Sequence, residues 1–143
     1  MAIANLHETL LAYTLRKQAL QYEIEDLSSR KLLLAGSQAD EQLLLSARKN
    51  EIRDYYKGMF DEDPSLQEEY KHYYDIPDFE DAITRATEEF NARLAELTAY
   101  EEQLDAQITT DSAEMEEINA YMESIKSMLS SNIQEDFSYG LDQ

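Results

Sequence analysis

The fold is decided by residues 83–129, which read ITRATEEFNARLAELTAYEEQLDAQITTDSAEMEEINAYMESIKSML. Steps of four and three residues, taken alternately from Ile83, reach fourteen positions, and eleven of these are apolar. The three polar positions are Thr87, Glu101 and Asp111. An apolar period of 3.5 residues that keeps its phase over such a length is typical of a helix packed along another helix. The segment therefore predicts a long helix with a partner of similar length.

The same alternation of steps runs through the first part of the chain. Between Leu6 and Leu34 it reaches nine positions, of which seven are apolar and two are lysines. We therefore expect a first helix over about residues 2–57, weakened by about 1 kcal/mol at Gly36. One continuous helix is favoured over two helices separated at this glycine. A continuous second helix is likewise favoured over one broken at residues 109–112.

Residues 58–77 predict the turn between the two long helices. Gly58 occupies the position of a helix C-cap, and the acidic residues after it lead into a proline that disrupts a helix interior. Ser65, with a glutamate three residues later, forms a capping box that predicts a short helix over residues 66–74. Asp78 follows the second proline and is a favourable N-cap for the second long helix.

These segments together predict an all-α fold, a long antiparallel helical hairpin with coiled-coil-like packing and a short helix at the turn. The composition agrees, because two prolines and three glycines in 143 residues are few for a fold of strands and turns. We expect one domain over residues 1–131, with long helices at about 2–57 and 78–130. Residues 132–143 indicate a polar C-terminal tail.

Charged residues inside the two seams predict the alignment of the hairpin. If the turn is centred near residue 68, residues whose numbers add up to about 137 face each other. The expected contacts join seam lysines to carboxylates: Lys31 to Glu101 and Asp105, and Lys17 to Glu116 and Glu117. Exposed ion pairs contribute only about 0–1 kcal/mol each, so they would select the register while the apolar seam supplies the stability.

The net charge of −19 lies entirely in the second half of the chain. Residues 1–57 carry eight basic and eight acidic side chains, whereas residues 58–143 carry four basic and 23 acidic ones. Nucleic acids and anionic membranes both require a basic surface, so we expect neither as a partner. A basic protein is the partner that this charge distribution suits.

Signals for cellular location are few. The chain has no cysteine, which excludes disulfides and thiolate metal sites and leaves the redox compartment open. No apolar run approaches the roughly 20 residues that cross a bilayer, so we expect no membrane insertion. The N-terminus lacks the basic and apolar regions of a cleavable signal peptide. Cytoplasmic residence is the default expectation, although export through a system that uses uncleaved signals would leave no readable mark.

Two local patterns resemble metal sites, and each is incomplete. Glu69 and His72 have the spacing of half a di-iron carboxylate site, but the other histidine lacks a matching glutamate. Asp61 and Asp63 begin like a calcium loop, but Leu66 replaces its required glycine. No nucleophile elbow or glycine-rich phosphate loop occurs. We therefore expect no enzymatic activity, no cofactor and no resident metal, whereas a carboxylate metal enzyme would require stoichiometric metal in the purified protein.

The most unusual local feature is an aromatic cluster around the turn, surrounded by carboxylates. It is a candidate partner-binding tip, because tyrosine offers contact area together with a polar group. The alternative is a small local core that closes the end of the hairpin. The seven residues are Tyr55, Tyr56, Phe60, Tyr70, Tyr73, Tyr74 and Phe79.

A second candidate surface consists of apolar residues outside the two seams. An apolar stripe wider than a two-stranded seam indicates contact with further helices, and we prefer self-association into a larger helical bundle. The alternative is burial under the short central helix and the tail. The candidate self-association stripe comprises Leu11, Leu15, Tyr22, Tyr100, Tyr121 and Met128.

Residues 56–58 read Tyr-Lys-Gly between two long helices. This resembles the Trp-x-Gly turn of small helical-hairpin proteins exported by type VII systems, with tyrosine in place of tryptophan. The C-terminal Tyr-x-x-x-Asp/Glu signal of that family is not matched, since Tyr139 precedes Asp142 by three residues. The match covers three residues, so no function is transferred. Long cysteine-free hairpins also resemble subunits of secreted filaments in general shape.

These observations predict a non-enzymatic structural or assembly protein, an acidic helical hairpin that forms homo-oligomers. The alternative is a binding module, such as a chaperone or an adaptor for secretion, that recognises a basic protein through its acidic half and aromatic tip. Association that persists on dilution would favour the first, and partner binding that survives only at low salt would favour the second.

Overall fold

The computed structural model describes the backbone of residues 3–141 and the side chains of residues 3–134. The expectations that concern residues 1, 2, 142 and 143 lie outside these described residues. Four elements follow one another: α1 (Ile3–Glu62), α2 (Pro64–Glu69), a 3-10 turn (Tyr73–Asp75) and α3 (Pro77–Leu141). The described chain contains no strand, and α1 packs against α3. The predicted all-α helical hairpin is therefore confirmed.

Both long helices are continuous where a break was considered. α1 has 60 residues and passes through Gly36, while α3 has 65 residues and passes through 109–112. The nearby hydroxyls donate to carbonyls of their own helix, Ser37 to Leu33 at 3.2 Å and Thr110 to Ala106 at 3.0 Å. These polar side chains are thus satisfied without interrupting the backbone hydrogen bonds.

The end of α1 lies five residues beyond the predicted position. Gly58 is not a C-cap: it lies inside the helix without a positive φ, and α1 continues to Glu62. Asp63 then adopts an extended conformation, with φ −114° and ψ 104°, as the residue before a proline prefers. Pro64, rather than Gly58, therefore ends the helix.

The short helix also begins earlier and ends sooner than predicted. Its N-cap is Asp63, whose carboxylate accepts a hydrogen bond from the backbone N–H of Ser65 at 2.9 Å, so Ser65 is not the cap. Tyr70 terminates it in an extended conformation. α3 begins at Pro77 rather than after Asp78, because the fixed φ of proline suits the first helical position.

The C-terminal end of α3 is a further correction. We expected the helix to end near residue 130 and a tail to follow, but α3 reaches Leu141. Residues 131–139 contain neither proline nor glycine, so no residue in this stretch forces the helix to stop.

The chain divides into two compact units. The first, which we call the terminal unit, comprises Met1–Arg30 and Gln103–Gln143, and the second, the turn unit, comprises Lys31–Glu102. In the terminal unit the early residues of α1 contact the late residues of α3, so the two helices run antiparallel there. Its two core clusters consist of Leu6, Ile125 and Leu129, and of Leu20, Ile118 and Met122.

In the turn unit the helices also run antiparallel. Glu41 accepts a hydrogen bond from Arg93 at 2.7 Å, and Gln38 donates one to Glu101 at 3.2 Å. If the alternation of steps continued unchanged beyond Leu34, it would place Arg48 and Tyr55 in the seam of α1. The seam changes phase here instead, because Lys49 and Tyr56 are half-buried while Arg48 and Tyr55 are exposed. Two consecutive steps of four residues, from 41 to 45 and from 45 to 49, account for this shift.

All fourteen seam positions of α3 and all nine predicted positions between Leu6 and Leu34 are buried or half-buried. The 3.5-residue period therefore identified the packed face of both helices. No helix in the described part of the chain contains an apolar stretch long enough to cross a membrane.

Candidate interaction surfaces

All six residues of the candidate self-association stripe are exposed. The exposed fractions are 59% for Leu11, 58% for Leu15, 73% for Tyr22, 40% for Tyr100, 50% for Tyr121 and 48% for Met128. Three of them lie on α1 and three on α3, and Tyr100 belongs to the turn unit whereas the other five belong to the terminal unit.

The first three of these residues lie on one face of α1. A helix turns by about 100° per residue, so positions 11, 15, 18 and 22 fall within roughly 60° of one another. On the same geometry, Leu11 lies about 180° from the fully buried Leu20. This outer row, which we call the α1 ridge, consists of Leu11, Leu15, Gln18 and Tyr22 and carries no charge.

The α3 residues of the stripe lie on a different surface of the terminal unit. The ring of Tyr121 stacks on the ring of Tyr13, with centroids 5.6 Å apart, and Tyr13 belongs to the packed seam of α1. Met128 follows Tyr121 at a spacing of seven residues, so it shares its side of α3. The α1 ridge points away from the seam, whereas Tyr121 contacts a seam residue of α1. The ridge and the side of α3 that carries Tyr121 and Met128 are therefore separate surfaces.

The aromatic cluster at the turn forms a chain of ring contacts. Neighbouring centroids are 5.2 to 5.7 Å apart and meet edge to face, in the order Tyr55, Tyr56, Phe79, Tyr73 and Tyr74. At its end, the ring of His72 stacks on that of Tyr74 with centroids 4.7 Å apart. Such pairs contribute about 0.5–1.5 kcal/mol each beyond the burial of area, so the cluster braces the turn.

Most of this cluster points inward. Five of the seven predicted residues are half-buried, namely Tyr56, Phe60, Tyr70, Tyr73 and Phe79. Tyr55 and Tyr74 are 65% and 52% exposed. Burial raises the pKa of the Tyr56 hydroxyl, and the nearby Asp78 raises it further. Burial raises the pKa of Tyr70 as well, with Glu69 adding to the effect.

An open groove lies between α1 and α3 in the turn unit. It comprises two adjacent cavities of about 450 and 290 Å³, and both are lined by Arg48 and Glu51. We call it the turn-unit groove. Its other lining residues are Ile52, Tyr55, Tyr56 and Ala82 in the larger cavity, and Leu44, Leu45, Ala47, Ala86, Glu89 and Arg93 in the smaller one.

Small residues open this groove. Ala82 and Ala86 stand beside the seam of α3, and Ala47 faces the same space from α1. A methyl group fills far less of the space between two helices than a leucine does, so the interhelical surface stays open there. The period of large apolar residues does not predict this groove, and only the clustering of alanines in the sequence indicates it.

The terminal unit contains a polar residue inside its packed seam. Asp111 is 3% exposed, and its Oδ1 accepts a hydrogen bond from Gln107 at 3.1 Å. Its Oδ2 has no hydrogen-bond partner among the described residues. Gln107 also donates to Glu23 across the helix pair at 3.3 Å. A buried carboxylate oxygen without a donor is costly, so we expect Asp111 to weaken the seam.

One ion pair between the helices of the terminal unit differs from the predicted one. In place of a pair between Lys17 and the neighbouring glutamates, Arg16 donates two hydrogen bonds to Glu114, at 2.8 and 3.0 Å. This pairing raises the pKa of Arg16 and lowers the pKa of Glu114. Glu101, expected beside Lys31, accepts a hydrogen bond from Gln38.

The residues considered for metal binding have other roles. His72 stacks on Tyr74, and its backbone N–H donates to the carboxylate of Asp75 at 3.1 Å. Asp63 caps α2. Within the described residues, no group of three or more potential ligands is arranged to hold a metal ion.

The Tyr-Lys-Gly segment over residues 56–58 lies within α1 and does not form a turn. No protein-family model, curated protein or solved structure matches this chain.

Proposed function

We propose that this protein is a non-enzymatic structural or assembly protein whose copies associate through the outer face of α1. One observation carries the proposal: the α1 ridge exposes three large apolar side chains on the face opposite the buried seam. A helix that is apolar on two opposite faces is typically covered on both. The first face is covered by α3, and the proposal assigns the second to another copy of this chain.

The charge distribution supports association through α1 rather than through α3. Residues 1–57 carry no net charge, whereas residues 58–143 carry the whole net charge of −19. Two copies that meet along their acidic halves would repel each other, and like charges brought together at an interface cost several kcal/mol. A contact through the α1 ridge brings a segment without net charge, rather than a second acidic half, against the neighbouring copy.

The energy available from the ridge is adequate for association. Complete burial of a leucine or a similar side chain contributes about 1.5–3 kcal/mol. Three such side chains from one ridge, together with the apolar side chains that cover them on the second copy, would offset the cost of joining two molecules, which is about 4–15 kcal/mol.

Sedimentation velocity over a wide range of concentration tests the proposal. We expect the wild-type chain to associate, and we expect the double substitution Leu11→Glu with Leu15→Glu to shift the equilibrium towards the monomer. A matched control is Leu32→Glu with Leu33→Glu, since these leucines are 77% and 73% exposed but lie outside the ridge. A wild-type chain that stays monomeric at the highest concentration would exclude the proposed function.

The second candidate function is binding of a basic protein at the turn. It is favoured by the exposed rings of Tyr55 and Tyr74 and by the many carboxylates in residues 54–81. Here a lysine-rich peptide should bind in low salt and dissociate as the salt rises from about 0.1 to 1 M. Tyr74→Ala should weaken this binding, whereas the ridge substitutions should leave it unchanged. Equal binding by wild type and Tyr74→Ala would exclude the tip as the site.

A further inference from the structure

The α1 ridge has the spacing of a helix that docks into a groove. Leu11, Leu15, Gln18 and Tyr22 follow one another at i, i+4, i+7 and i+11. Helices that insert into apolar grooves present their anchor residues at this spacing. The row contains no charged side chain over twelve residues, so it could enter a closed interface without burying a charge.

The turn-unit groove has the complementary properties. Its lining includes apolar side chains such as Leu45 and Ile52 and three small residues, Ala47, Ala82 and Ala86. Leu44 and Tyr55 line it while being 59% and 65% exposed, so they border the opening. Cavities of about 450 and 290 Å³ offer room for large side chains from another helix.

We propose that the α1 ridge of one copy docks into the turn-unit groove of a second copy of this chain. This inference rests on the proposed self-association and names the surface that covers the ridge. The contact is heterologous, because the two surfaces consist of different residues. Each copy would therefore donate its ridge to one neighbour and accept the ridge of another.

The charges around the groove favour this occupant. Arg48 and Glu51 form an ion pair at 3.2 Å, and Arg93 bonds to Glu41 at 2.7 Å. The four charged residues that line the groove, two arginines and two glutamates, cancel one another. The groove has no net positive charge that would attract an acidic α3 surface. A strongly basic partner would bind the carboxylates of residues 58–143 rather than this neutral groove. The α1 ridge carries no charge, so its binding to the groove does not depend on electrostatic attraction and causes no charge repulsion.

This arrangement has a consequence for assembly. An isologous contact uses the same patch twice and stops at the dimer, whereas a heterologous contact leaves one free ridge and one free groove on every growing complex. Association should therefore continue beyond the dimer, into a closed ring or an open filament.

Two variants that each block one surface test this inference. The ridge variant carries Leu11→Glu and Leu15→Glu, and the groove variant carries Leu44→Glu and Ala47→Glu. All four positions are exposed, so circular dichroism and thermal unfolding should show that both variants remain folded. In the ridge variant, the loss of two buried leucine contacts corresponds to association that is weaker by roughly a hundredfold or more. We expect each variant alone to sediment as a monomer.

The mixture of the two variants is the decisive sample. The ridge variant keeps its groove and the groove variant keeps its ridge, so an equimolar mixture should form a 1:1 complex that does not grow further. A mixture that stays monomeric, or a groove variant that associates like wild type, would overturn the ridge-in-groove contact while leaving self-association in place. A monomeric wild-type chain would overturn both proposals together.

Cross-linking provides a second, independent measurement. The chain has no cysteine, so single substitutions Leu15→Cys and Ala47→Cys introduce unique thiols. We expect a disulfide between the two variants when they are mixed and oxidised, at a higher yield than for Leu15→Cys mixed with Met128→Cys. Equal yields for the two mixtures would contradict docking at the groove.

Discussion

The terminal unit and the turn unit consist of the same two helices, but they fill the space between those helices differently. In the terminal unit, large apolar residues meet in clusters such as Leu20 with Ile118 and Met122. In the turn unit, a hydrogen bond between Gln38 and Glu101 occupies part of the seam, and alanines border an open groove. The comparison indicates that one heptad pattern can either seal a helix pair or leave it accessible, depending on side-chain volume.

The largest expected effect compares one buried residue from each unit. Leu20→Ala should lower the free energy of unfolding by about 2–5 kcal/mol, because Leu20 is completely buried in a packed cluster. Ile52→Ala should cost less, because Ile52 already borders the groove and its removal enlarges an open space rather than creating a closed cavity. Chemical denaturation of both variants measures this difference.

A larger loss of stability for Leu20→Ala than for Ile52→Ala would show that the terminal unit is packed more tightly than the turn-unit groove. Leu11→Ala is a suitable control, because this leucine is 59% exposed and outside the seam, so its loss should have little effect on a monomeric sample. An Ile52→Ala variant that loses as much stability as Leu20→Ala would mean that the groove is as tightly packed as the terminal unit.

A smaller effect concerns the polar residue that weakens the terminal unit. Asp111→Leu should raise the free energy of unfolding by about 1–3 kcal/mol, because it removes a buried carboxylate oxygen that lacks a donor. The matched control is Glu116→Leu on the exposed side of α3, which should change stability by less than about 0.5 kcal/mol. Denaturation midpoints of the two variants can be compared directly. A destabilised Asp111→Leu would show that the carboxylate is satisfied by a donor such as a bound water.

Periodicity predicted the packed face of both helices because the signal is repeated many times. A single exception such as Asp111 does not shift the phase of a seam that returns at Met115 and Ile118. For the same reason the period could not detect a local change of phase. At Lys49 two consecutive steps of four residues moved Tyr56 into the seam and left Tyr55 exposed.

The helix ends and the groove were less predictable for physical reasons. Gly58 read as a C-cap, but a glycine tolerates the helical conformation, and Pro64 is the stronger local constraint. The α1 ridge was identified because its residues are large and apolar. The groove depends on missing volume at Ala82 and Ala86, and a pattern of large apolar residues contains no information about missing volume.

The smallest expected effect concerns the ion pair that joins the helices of the terminal unit. Arg16 holds the pKa of Glu114 below its ordinary value, mainly through two hydrogen bonds. Arg16→Met should therefore raise the pKa of Glu114, because both interactions that lower it come from Arg16. A titration of the Glu114 side chain followed by NMR measures the change. The control is Lys17→Met, which removes a neighbouring positive charge that makes no such contact with Glu114 in the structure.

The same pair predicts a direction for the pH dependence of stability. Because the pKa of Glu114 is lower in the folded chain than in the unfolded chain, the pair stabilises the fold above the unfolded pKa. This stabilisation is lost as the pH falls through the folded pKa, so wild type and Arg16→Met should differ near neutral pH and converge in acid. The pair is exposed, so the difference should also shrink between about 0.1 and 1 M salt. A constant difference at every pH and salt concentration would mean that Arg16 acts through the packing of its methylene groups and not through its charge.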